Sequence, residues 1–194
     1  MAQELEIEFR NLITKEEYQT LTKAFKVKET DFFEQTNYYL DTDTFALKEK
    51  QSALRIRKKK DYYELTLKTP ANKGLLETTQ ILGADQADSI LKGSYIPVGQ
   101  VRDELLKHGV RHEELVVFGS LRTIRAEKAY KKGLLVFDQN FYGDIVDYDL
   151  EYEVTDDVRG QKIFSELLAD YAIVESPAPN KIERFYNKIY KSQH

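Results

Sequence analysis

The chain has no cysteine, no tryptophan and one methionine among 194 residues. Without cysteine, disulfides, thiolate zinc sites and cysteine nucleophiles are all excluded. The three histidines, His108, His112 and His194, show no metal-ligand spacing and read as surface residues. No apolar run approaches the length of a membrane span. The first residues turn acidic without the basic and apolar regions of a signal peptide, so a cytoplasmic protein with no membrane partner is expected. A net charge of −4 argues against a general nucleic-acid binder. Phosphate-binding Gly-Lys loops, dinucleotide fingerprints and Gly-x-Ser-x-Gly elbows are missing.

What remains is a hydrophobic fraction of 41% and a charged fraction of 32%, the balance of a folded globular chain. The length suits one domain spanning 1–194. The opening segment, Glu4-Leu5-Glu6-Ile7-Glu8-Phe9-Arg10, alternates with period two. As a strand it puts Leu5, Ile7 and Phe9 on one face and Glu4, Glu6, Glu8 and Arg10 on the other. Similar alternation returns in Leu54-Arg55-Ile56-Arg57, Leu65-Thr66-Leu67-Lys68 and Asp149-Leu150-Glu151-Tyr152-Glu153-Val154. Further strands are expected over 35–40, 53–58, 62–69, 75–82, 115–128, 134–139 and 148–155. Thr14 and Glu17 form a capping-box pattern that starts a helix reaching about Lys28. Other helices are expected over 85–92, 98–107, 157–171 and 181–190. Many strands and few helices imply an α+β fold with a largely antiparallel, closed barrel.

Glu6 and Glu8 lie about 7 Å apart on one strand face. At an effective dielectric near 20 they repel by roughly 2 kcal/mol, so a cleft holding both needs cations. Glu151 and Glu153 repeat the pair, and Asp138 ends a nearby strand. Oxygen-only ligands of this kind suit Mg²⁺ or Mn²⁺ with substrate phosphate oxygens. Arg55, Arg57, Lys68 and Arg125 supply the guanidinium and ammonium groups that hold phosphate. Cross-strand salt bridging in a sheet without a site is the alternative reading. Lys58, Lys59 and Lys60 read as a solvated turn, and Tyr38, Tyr39, Tyr62 and Tyr63 as core or barrel-wall aromatics.

The ordered set resembles the CYTH superfamily, the triphosphate tunnel metalloenzymes, and its uncharacterised firmicute branch. Glu6-Ile7-Glu8-Phe9-Arg10 is similar to the family's ExExK signature. Tyr39-Leu40-Asp41, Arg55 and Arg57, Lys68, Glu77, Arg125, Asp138, Glu151 and Glu153, and Lys181-Ile182-Glu183-Arg184-Phe185 follow in order. The resemblance implies an eight-stranded antiparallel barrel forming a tunnel, with helices packed outside and charges inside. It places Glu6, Glu8, Asp138, Glu151 and Glu153 at the Mg²⁺ or Mn²⁺ site, with Glu6, Glu8 and Arg10 the catalytic set. It places Arg10, Arg55, Arg57, Lys68, Arg125, Lys181 and Arg184 on the phosphates, and Glu77 on the tunnel wall. The implied activity is metal-dependent hydrolysis of inorganic tripolyphosphate or an organic triphosphate. Adenylyl cyclisation of ATP and a non-catalytic polyphosphate or nucleotide sensor are the alternatives. Two departures stand out: Arg10 where the signature has lysine, and Thr123 where many members carry another base.

Overall fold

The computed structural model describes residues 3–59, 61–177, 179 and 181–191, with side chains of the final helix described to Asn187. Lys60 and His194, named above, lie outside the described residues. Eight strands carry the fold: β1 (Gln3–Ile13), β2 (Phe33–Thr42), β3 (Ala53–Lys58), β4 (Tyr63–Pro70), β5 (Leu75–Leu82), β6 (Leu115–Tyr130), β7 (Gly133–Tyr142) and β8 (Ile145–Val154). The helices are α1 (Lys15–Ala24), α2 (Ala46–Glu49), α3 (Ala84–Leu91), α4 (Gln100–Lys107), α5 (Asp157–Asp170) and α6 (Lys181–Lys191). The strands form a closed barrel, as the resemblance implies, and their order around it is β1-β5-β4-β3-β2-β6-β7-β8.

The residues cluster into two compact units, interleaved in sequence. One holds Gln35–Ser120 with the start of β1 to Leu5. Its core joins Leu40, Leu54, Ile56, Leu65 and Leu67 of the strands to Ala87, Ile90, Val101 and Leu105 of α3 and α4. The short helix α2 was not foreseen, and tertiary capping explains it. The buried Asp41 carboxylate accepts hydrogen bonds from the amides of Thr42, Leu47 and Lys48 at 2.8, 2.9 and 3.0 Å. That satisfies donors a four-residue helix otherwise leaves orphaned.

The other unit holds Glu6–Glu34 and the described residues from Leu121 onward. Here Leu135, Phe137, Leu150 and Tyr152 pack with Tyr18 and Leu21 of α1 and Ile163, Phe164 and Leu167 of α5. The predicted box starts α1: Thr14 Oγ1 accepts from Glu17 N, and Glu17 Oε2 accepts from Thr14 N. Close approach of α5 to the sheet requires Gly160, since a Cβ there would meet Val154 Cγ2 at 2.6 Å and Phe9 Cε2 at 2.9 Å. On the apolar face of β1, Ile7 is buried as expected, whereas Leu5 is 49% exposed. His112 corrects the surface reading of the histidines: it is buried, edge-on to Tyr95 at 5.9 Å. Among the four tyrosines, Tyr39 is buried and Tyr62 is exposed.

Candidate active site

Strand register brings the predicted acids of the second unit together. β1 and β8 pair antiparallel with Glu8 opposite Glu153 and Arg10 opposite Glu151. β7 adds Asp138 opposite Asp149, and β6 adds Arg125 opposite Asp138. Directly opposed residues share a face, so the charges converge on one side while α1 and α5 cover the other.

The acids divide into two groups. Glu6, Glu8 and Glu153 are half-buried, and one oxygen of each lies within 4.8 Å of the others. The Glu153 carboxyl is pushed up to about 7, by burial first and then by Glu151, Glu6 and Glu8, with Arg125 pulling the other way. Excess negative charge in an oxygen-only donor set fits a hard divalent cation.

Asp138, Asp149 and Glu151 form the second group and are buried. Four bases meet them. Arg125 donates from Nε and Nη2 to both oxygens of Asp138 at 2.8 and 2.7 Å, and from Nη2 to Glu151 at 2.9 Å. Arg10 forks between the groups, donating from Nε to Glu151 at 2.7 Å and from Nη2 to Glu8. Lys181 Nζ lies 2.6 Å from Asp138, 2.8 Å from Asp149 and closer still to Glu151. Arg184 donates from Nη2 to Asp149 at 3.1 Å, while its buried Nε and Nη1 have no hydrogen-bond partner.

Burial alone would raise the Glu151 carboxyl, but Lys181, Arg10 and Arg125 hold it well below the carboxylate range. Asp138 is lowered too: burial opposes ionisation, and Arg125 and Lys181 outweigh it. Asp149 goes the other way, raised by burial that Lys181 and Arg184 only partly offset. Burial also works against the Arg10, Arg125 and Lys181 charges, yet the surrounding carboxylates hold all three above their ordinary values.

Asp149 is the residue sequence reading missed. It stands two positions before Glu151 on the same alternating face, and that spacing was the available signal. Thr123 is fully buried, donating to Asn140 Oδ1 at 2.8 Å, and Asn140 in turn donates to Asp147 at 3.0 Å and to Asp149. A neutral polar pair therefore occupies the place of the missing base.

The first unit carries its own charged face. Arg55 and Arg57 on β3 share a side with Lys68 on β4 and Glu77 on β5, where Lys68 stands opposite Glu77. Glu77 Oε1 lies 2.5 Å from Lys68 Nζ and 3.7 Å from Arg55 Nη2. Burial raises the Glu77 carboxyl, but Lys68, Arg55 and Arg57 bring it below its ordinary value. Arg57 Nε donates to Asn37 Oδ1 at 2.8 Å. Arg55, Arg57 and Lys68 outnumber the two acids of this face, Glu77 and the Glu64 that stands opposite Arg57. Lys59 reaches Glu64 at 3.4 Å, in keeping with a solvated turn.

Fold and charges together define an antiparallel barrel whose alternate residues carry ionic chemistry. The chain belongs to the CYTH family, whose domain matches residues 4–186. It is 46% identical over 192 residues to YjbK of Bacillus subtilis (strain 168), a triphosphatase by provisional name, covering 99% of this chain and 100% of that one. The crystal structure of a Bacillus halodurans protein provisionally described as an adenylate cyclase is 39% identical, with a TM-score of 0.92, over 96% of this chain and 100% of that one. HpAC1 from Hippeastrum, described as a proposed adenylyl cyclase with a dominant triphosphatase activity, has the same fold at 23% identity. Its TM-score is 0.76, over 95% of this chain and 96% of that one.

Proposed function

We propose that this protein hydrolyses a phosphoanhydride bond of a triphosphate, inorganic tripolyphosphate or an organic triphosphate, with a divalent cation. The observation that carries the reading is the like-charged Glu6, Glu8 and Glu153 group beside a buried cluster of three acids and four bases. Family membership and the name of the Bacillus subtilis relative support it. The expected setting is the cytoplasm; among the described residues no helix is long and apolar enough to cross a membrane.

Glu6, Glu8 and Glu153 would hold the cation, Mg²⁺ or Mn²⁺ by donor chemistry. When bound, such a cation polarises phosphoryl oxygens and lowers the pKa of coordinated water. Arg55, Arg57 and Lys68 would neutralise phosphate oxygens, with Glu77 holding Lys68 and Arg55 in place between substrates. Arg184 has its buried Nη1 to spare for the same purpose, while its Nε lies 3.5 Å from Asp147. Arg10 and Arg125 bind the substrate side with whatever donors the acids leave, and tie the carboxylates into one geometry. Water attacks the terminal phosphorus, the bridging P–O bond breaks, and orthophosphate and the shortened phosphate leave. Positioning and charge stabilisation supply the rate, as in phosphoryl transfer generally.

The test is a panel of tripolyphosphate, ATP, GTP and thiamine triphosphate with and without Mg²⁺ or Mn²⁺, scored for phosphate, pyrophosphate and cyclic nucleotide. Metal-stimulated phosphate release from at least one member is expected. Cyclic AMP with pyrophosphate from ATP would establish the cyclase instead, and tight binding without product would establish a sensor.

A further inference from the structure

Gln161, Phe164, Ser165 and Leu168 of α5 follow the i, i+3, i+4, i+7 spacing of one helix face. A strip packed wholly into a core would be apolar, yet this one carries an amide and a hydroxyl. It forms one wall of a cavity of about 380 Å³ that lies within the second unit. The facing wall is β1, which contributes residues of both its faces: Glu8 and Arg10 from the charged side, Phe9 and Asn11 from the other. Successive side chains of a strand point to opposite faces, so a cavity meets all four only at the strand edge. Glu175 and Pro177 form the third wall. Asn11, itself buried, ties that segment to β1: its Nδ2 donates to Val174 O at 3.1 Å, and its Oδ1 accepts from Ser176 N at 2.5 Å. Leu12 N adds a hydrogen bond to Ser176 O at 3.0 Å. The third wall is thus fixed in place, as a pre-formed ligand site requires.

We propose that this cavity is a subsite for the nitrogen-bearing aromatic ring of an organic triphosphate, a nucleobase or a similar aminated heterocycle. The inference rests on the function proposed above and narrows its substrate class. Its first support is position. Glu8 and Arg10 border the cavity and also belong to the charged face, Glu8 in the half-buried acid group and Arg10 between the two groups. A ring in the cavity and phosphates on that face are then one strand edge apart. The volume falls within the roughly 300–1,000 Å³ of small-molecule sites. Phe9 and Phe164, stacked at 6.3 Å, combine with Leu168 and Pro177 to offer apolar surface to a flat ring. Gln161 and Ser165 can both donate and accept, whereas an ionised Glu175 only accepts. Glu8 and Glu175 outnumber Arg10, whose guanidinium is already engaged by Glu8 and Glu151. This balance repels an anion and favours ring amino groups or a cationic ring. Inorganic tripolyphosphate has no group to fill such a space.

The experiment compares kcat/KM for ATP, GTP, thiamine triphosphate and tripolyphosphate in wild type and in Ser165→Trp, whose indole would project into the cavity from α5. Wild type is expected to turn over at least one organic triphosphate. The ratio of its kcat/KM to that for tripolyphosphate is expected to fall at least about tenfold in the variant. The triphosphate that loses most identifies the ring. Ratios within about twofold of wild type for all three would overturn the inference, as would a wild type that hydrolyses tripolyphosphate alone. Either result leaves the proposed hydrolysis standing. If Ser165→Trp does not fold, Glu175→Lys decides, because that residue is exposed. A loss of about fivefold in the same ratio supports the subsite, and an unchanged ratio overturns it. If no triphosphate is turned over, the proposed function fails, and saturation-transfer NMR with adenosine, guanosine and thiamine still tests the cavity. Transfer in wild type that Ser165→Trp abolishes supports a ring site; no transfer, or transfer the variant retains, overturns it.

Discussion

Glu153 stands opposite Glu8 in the β1–β8 pair, and its carboxyl rises from 4.5 to about 7. Between those pH values the unfolded chain releases a proton that the folded protein keeps. Stability in chelator therefore falls as pH climbs through that window and levels off above it. The side chain is 34% exposed, so solvent screening leaves only part of the effect, about 1 kcal/mol. Glu153→Gln is expected to raise the Tm at pH 8 in chelator by roughly 2–4 °C and to leave it near wild type at pH 4.5. The variant should also lose most of the thermal stabilisation that Mn²⁺ gives wild type. Equal Tm values at pH 8 would contradict this picture of Glu153, and thermal scans at the two pH values check it. Glu77 makes the reverse case, because its carboxyl is lowered by Lys68 and Arg55 after burial is overcome. Glu77→Gln releases those bases from their counter-charge. It is expected to lower the KM for tripolyphosphate, measured by phosphate release, by a few-fold.

At the scale of elements, α5 is held by shape. A Cβ on Gly160 would press into Val154 and Phe9, at about 1–3 kcal/mol for overpacking, against a gain of about 1 kcal/mol in helix propensity. Gly160→Ala is expected to destabilise by about 1 kcal/mol in urea unfolding, and a stabilised variant would show that α5 can withdraw freely. The same scale separates what was legible in the sequence from what was not. β3 and β5 match their expected ranges because bounded alternation over 53–58 and 75–82 is a local signal. β7 and β8 extend further than expected, pairing from Leu134 opposite Glu153 to Tyr142 opposite Ile145, because the ladder continues where the apolar pattern weakens. Helix α2 was invisible because its caps come from Asp41, several residues back. Asp149 looked like any polar residue of a half-exposed strand. Its burial depends on Lys181 and Arg184, more than thirty residues further along the chain.

For the whole molecule, family and barrel could be read from the order of short charged motifs, and both are borne out by the CYTH match over 4–186. The division of acids could not be read this way. Glu6, Glu8, Asp138, Glu151 and Glu153 look equivalent in sequence, yet three are half-buried and two are sealed among bases. Alternation fixes only which face a residue takes, whereas the depth of burial follows from the helix that closes over it. The central claim is that the half-buried group holds the activating cation. Its most direct test is the Mn²⁺ dependence of phosphate release from tripolyphosphate by wild type and Glu6→Gln. The account predicts that half-maximal activation moves to at least about tenfold higher Mn²⁺ in the variant, with folding unchanged. An unchanged Mn²⁺ dependence and full turnover in Glu6→Gln would contradict it.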